Sequence, residues 1–107
     1  MTNDIHQILT ERGDRYGSFQ THAELSQSLK TTITKAASAR SLTLTPDQQE
    51  ALEMILHKIA RIINGDPDYA DSWLDIAGYA TLVASRLTLQ PPQKYDANSA
   101  FTRQNQL

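Results

Sequence analysis

The segment from Thr45 to Gly65, TPDQQEALEMILHKIARIING, constrains the fold more than any other part of this chain. Thr45 suits an N-cap, Pro46 the first helical position and Gln48 the third, which together predict a capping box. Leu52, Ile55, Leu56, Ile59, Ile62 and Ile63 then recur at three- and four-residue spacing, the signature of one buried helix face. Asn64-Gly65 predicts the end of that helix, and Pro67 restarts the chain. A second helix is expected from about Asp68 to Thr88, with Trp73, Ile76, Ala77, Ala80, Val83, Ala84 and Leu87 on a wide apolar face. A turn this short leaves the two helices, about 46–64 and 68–88, to pack as an antiparallel hairpin.

The rest of the chain also reads as helix. A first helix is expected from Asn3 or Asp4 to Arg12, with Gly13 as its stop. Gly13 and Gly17 then bracket Tyr16 in a turn, RGDRYGSF. A helix over about Gln20 to Ala39 carries a thin stripe of Leu25, Leu29, Ile33 and Ala36, and Thr31, Thr32 and Thr34 weaken its propensity. The sequence therefore predicts an all-α fold of about four helices around a central hairpin. The last helix is apolar on both sides, with Leu82 and Leu89 opposite Trp73, so it is expected either at the centre of the fold or in an oligomer interface, with completion by homo-oligomerisation. With 107 residues the chain has room for one modest domain, expected over 1–90. The segment 91–107 opens on two prolines, is polar and lacks periodicity, and is expected to be a flexible tail or strap.

Composition removes several functions. A net charge of −2 argues against direct nucleic-acid binding. The absence of cysteine excludes disulfides, thiolate metal sites and cysteine nucleophiles. No apolar run is long enough for a bilayer span and no signal peptide is visible, so a cytoplasmic protein without a membrane partner is expected.

The residues that carry chemistry cluster on the hairpin. Glu50 and Glu53 fall on its first helix, and Asp71 and Asp75 near the start of its second. Two acidic pairs on adjacent helices can line an oxygen-rich site for a hard cation. The plainer alternative is a solvated face, on which Glu53 pairs with a protonated His57. Asp71 also fits a helix N-terminal carboxylate set with Asp66 and Asp68. Asp75 lies too far into the helix for that explanation and is the best single site residue. Lys58 and Arg61 either meet phosphate oxygens or neutralise the nearby acids. His57 reads as a surface or interface histidine, and Trp73 and Tyr79 as packing residues. Neither a glycine-rich phosphate loop nor a nucleophile elbow is present.

Taken together, Tyr16-Gly17 and ALEMILHKIARIINGDPDYADSWLDIAGYA resemble a family of small phage- and prophage-encoded proteins of unknown function. The resemblance is close over Glu50 to Ala84 and covers most of residues 9–88. That family is distantly similar to the all-α NTP pyrophosphatases of the MazG and dUTPase-like group, and to a nucleotide-modification-associated domain. The pyrophosphatases use E-x-x-E and E-x-x-D elements on consecutive helices to bind Mg²⁺. Glu50-Ala-Leu-Glu53 matches the first element, whereas Asp71-Ser-Trp-Leu-Asp75 is one residue wider than the second and lacks its glutamate. The resemblance implies a nucleotide-binding protein dependent on Mg²⁺ (or Mn²⁺), and the activity it points to is pyrophosphohydrolysis of a dNTP or modified nucleotide. Glu50 and Glu53 would be catalytic, Glu50, Glu53, Asp71 and Asp75 would hold the metal, and Lys58 and Arg61 would bind the phosphates. The alternative is a non-enzymatic phage accessory protein that binds a host protein, such as an anti-defence factor.

Overall fold

The computed structural model describes residues 4–89, and all regular structure among them is α-helical. The helices are α1 (Asp4–Tyr16), α2 (Phe19–Ala39), α3 (Pro46–Asn64) and α4 (Ala70–Leu89). The all-α, four-helix expectation holds, and the proposed tail at 91–107 lies outside the described residues. No helix among them is long and apolar enough to cross a membrane.

The helix ends show which local signals act. α1 does not stop at Gly13. It runs on to Tyr16, and Gly17 closes it with φ +78 and an N–H donated to the Gly13 carbonyl at 2.8 Å. A glycine inside a helix costs only about 1 kcal/mol, whereas the left-handed residue after a helix selects glycine strongly. Ser18 caps α2, its Oγ accepting the Thr21 N–H at 3.2 Å, and the helix continues through its threonines. At the start of α3 the Thr45 N–H donates to Gln48 Oε1 at 3.0 Å, the backward half of the expected capping box. α4 begins slightly later than expected because Asp66 forms a local turn, its Oδ1 accepting the Asp68 N–H at 2.9 Å.

α3 is the central helix, packed against α2 on one side and α4 on the other. Two ion pairs fix the antiparallel α3–α4 register: Lys58 Nζ to Asp75 Oδ2 at 3.0 Å and Arg86 Nε to Asp47 Oδ2 at 2.5 Å. Arg86 also donates to Thr45 Oγ1 at 3.1 Å, tying the end of α4 to the cap of α3. Asp47 is held at a pKa of about 2, chiefly by its hydrogen bonds from Arg86 and Thr45.

The apolar face expected on α3 is only partly covered. Among the described residues the buried apolar ones are Ala51, Ala60 and Ile62, while Ile63 is 70% exposed and Leu52 is also exposed. α4 has the same defect. Its less exposed positions, Ser72, Ile76, Tyr79, Val83 and Arg86, form a narrow stripe against α3, and Trp73, at 54% exposed, lies outside it. The neighbours of α3 leave its Leu52–Ile63 flank open, and the apolar arc of α4 is wider than the one helix that meets it.

A polar clamp joins the α1–α2 turn to the end of α3. Asn64 Nδ2 donates to the carbonyls of Tyr16 (2.7 Å) and Ser18 (3.1 Å), and its Oδ1 accepts the Thr21 hydroxyl (2.9 Å). The Asp66 N–H donates to the Arg15 carbonyl at 2.6 Å. The two backbones touch through glycines. A Cβ at Gly17 would collide with the Asn64 carbonyl, and one at Gly65 with the Arg15 carbonyl and Tyr16 Cα.

Gly17→Ala combines positive φ with a backbone collision, so a loss of about 2 kcal/mol or more in urea unfolding is expected. Gly13→Ala has open space around its Cβ inside a helix and is expected to be neutral or to stabilise by about 0.5–1 kcal/mol. Equal effects of the two substitutions would refute the clamp.

Candidate functional site

The clamp brings α1 and the start of α2 over one flank of α3 and leaves a cleft of about 420 Å³ between them. Arg12 and Tyr16 come from α1, Phe19 and His22 from α2, and His57 and Arg61 from α3. The residues lining this cleft include two guanidinium groups and no carboxylate. The Arg61 guanidinium lies 4.3 Å from the Tyr16 ring centroid, and that of Arg12 lies 5.8 Å from the same ring. Tyr69 meets the Tyr16 ring edge to face at 6.2 Å and carries Arg15 at 4.7 Å over its own ring. These cation–π contacts hold the cleft's cations without neutralising them. Phe19, 80% exposed, presents an open aromatic ring at the mouth.

Two histidines form the floor. His22 is buried, His57 is half-buried, and their rings meet edge to face with centroids 4.5 Å apart. Burial is the main force lowering the His57 pKa, to about 4, followed by His22, Arg61, Lys30 and Lys58. The His22 pKa is also lowered, first by burial and then by Arg61, Lys30 and Lys58. Both rings are therefore neutral near pH 7, in a region of positive potential. His22 Nδ1 and the neighbouring Ser26 Oγ are buried without a hydrogen-bond partner.

The residues singled out from sequence fall into separate places. Arg61 lines the cleft. Lys58 does not: it is buried against α4 and pairs with Asp75. Glu53 accepts a hydrogen bond from Gln49 Nε2 at 2.7 Å, in place of the expected pair with a protonated His57. Glu50 and Asp71 are exposed. In the register set by Lys58 and Asp75, Glu53 and Glu50 lie five and eight residues from the level of Asp75, or about 8 and 12 Å along the axis. Among the described residues no group of three or more Asp, Glu or His side chains stands close enough to hold a metal ion. Within one chain the four carboxylates thus do not fit a shared Mg²⁺ site.

Sequence reasoning passed over His22, Phe19 and Arg12. His22 and His57 are far apart in the chain and share no motif spacing, so only the packing of α2 on α3 reveals the pair. The glycines around Tyr16 suggest a turn along the chain, which the structure narrows to Gly17, and its partner Asn64-Gly65 reads only as a helix stop.

Residues 2–87 match the family described as a domain of unknown function (DUF6378). No curated protein and no solved structure gives a significant match.

Two outcomes test this geometry. The depressed histidine pKa means that the unfolded chain binds more protons below pH 6.5, so stability is full above that value and falls as the pH drops towards 4. Melting curves at pH 7.5 and pH 5 should show the loss, and His57→Gln should reduce it; an unchanged pH dependence would refute the assignment. Asp75→Ala strands the buried Lys58 ammonium and should cost about 1–3 kcal/mol in denaturant unfolding, moderated because Asp75 is itself half-exposed. A neutral effect would show that the pair does not hold the hairpin.

Proposed function

The chain belongs to the DUF6378 family, and we propose that it binds a nucleotide, or a closely related phosphorylated aromatic compound, in the cleft between the α1–α2 turn and α3. One observation carries this reading: Arg12 and Arg61 flank a cleft whose mouth holds the exposed Phe19 ring and whose lining has no carboxylate. Guanidinium groups match phosphate oxygens in shape and charge, and in a partly dry cleft the resulting hydrogen bonds strengthen. An aromatic ring beside them offers a stacking surface for a planar base. The size of the cleft suits a small-molecule ligand.

Arg61 joins this reading to the family resemblance, which implies a phosphate-binding role for it. The neutral histidines add to it. A bound phosphate would offset the cations that lower their pKa values, so binding near pH 6 should take up protons. Lys58 is committed to Asp75 and does not line the cleft, so the cations offered to the ligand are the arginines. The separation of the carboxylates leaves phosphate binding better supported by this geometry than metal-assisted hydrolysis.

A panel of nucleoside mono-, di- and triphosphates, with and without Mg²⁺, tests the proposal by thermal shift and calorimetry, with pyrophosphate release as the activity readout. A ligand that binds only the folded protein raises its melting temperature by mass action. Arg61→Ala is expected to weaken binding tenfold or more, and Phe19→Ala to weaken nucleotides more than inorganic phosphate. If no nucleotide shifts the melt of the parent protein, the proposal fails.

A further inference from the structure

The side of the molecule opposite the cleft carries a separate feature, independent of any ligand bound there. At about 100° per residue, Leu52, Leu56, Ile59 and Ile63 occupy one flank of α3, turned away from His57 and Arg61. The antiparallel register places the Trp73, Ala77, Ala80, Ala84 and Leu87 flank of α4 on the same side. The two flanks form a continuous apolar face without a charged side chain, on which Leu52, Ile63, Trp73 and Leu87 are exposed.

We infer that this face is the interface of a homodimer, in which two three-helix layers pack back to back. α2, α3 and α4 form a single layer, and a single amphipathic layer needs a second one to enclose a core. The described residues do not supply it: the buried apolar residues among them are Ala51, Ala60 and Ile62, and none of their large side chains is fully buried. The cover must therefore be present whenever the chain is folded, and a second copy is the partner always available. Helices of about 20 residues are roughly 30 Å long, and the flanks of two set 9–10 Å apart make a face of roughly 600 Å². Two copies together would bury roughly 1,200 Å², which clears the roughly 1,000 Å² expected of a specific interface. A charge-free surface is also compatible with itself, as a two-fold interface requires. The arrangement turns the two clefts outward, on opposite sides of the dimer.

Sedimentation of the full chain at micromolar concentration should give twice the chain mass, and the melting temperature should rise with protein concentration. Trp73, the only tryptophan, reports on the face directly. Its fluorescence should be shielded from acrylamide in the dimer and become quenchable on dilution. Ile63→Glu should shift the population towards monomer or unfolded chain, whereas Leu82→Glu, exposed on the far flank of α4, should leave the dimer mass unchanged. A folded monomer with concentration-independent melting and freely quenched Trp73 would overturn the inference. So would a dimer that survives Ile63→Glu and is broken by Leu82→Glu, which would place the interface on the other side. Binding of the monomer to phosphatidylcholine vesicles would likewise overturn it, by showing that the face is covered by lipid.

Discussion

The contact between the Tyr16-Gly17-Ser18 turn and the Asn64-Gly65-Asp66 turn organises the rest of the structure. Two backbones approach so closely that neither Gly17 nor Gly65 has room for a side chain, and Asn64 satisfies the polar groups that meet there. Without this contact α1 would have little to hold it, since it has no buried residue of its own. With it, Arg12, Tyr16 and Phe19 are carried to the flank of α3 where His57 and Arg61 already stand. The cleft is thus a consequence of a turn–turn contact and not of a hydrophobic core.

The second organising element is electrostatic. Lys58–Asp75 and Asp47–Arg86 set one register for the α3–α4 hairpin and consume charges that resemble a ligand site when read along the chain. Once Lys58 is committed to Asp75, the positive charge left for an anion comes from the arginines. The same register spreads the acidic pairs along the hairpin. A motif that places carboxylates on adjacent helices does not place them at the same height, because height depends on the turn that joins the helices and on the pairs that lock them.

Most of the fold was legible. The cap at Thr45, the three- and four-residue apolar spacing of α3 and the Asn64-Gly65 stop are local signals, and α3 has the bounds they predict. Gly13 misled because a lone glycine near a helix end looks like a stop, while the glycine that needs left-handed backbone is Gly17. The candidate site was far less legible. Arg61 could be named, but the residues that complete its surroundings lie on α1 and α2, and nothing along the chain links Phe19 or His22 to it.

The sequence by itself determined that the chain is helical, where its central hairpin lies and which positions are apolar, because caps, turns and periodicity act over a few neighbouring residues. Tertiary structure alone decided which of those apolar positions are covered and which charges remain available. A helical face is buried only if another helix reaches it: the neighbours of α3 leave one flank open, and the one helix packed on α4 covers a narrower arc than α4 presents. A charge is available only if no residue distant in sequence neutralises it, and Asp75 does so for Lys58 while Arg61 retains its charge against the Tyr16 ring.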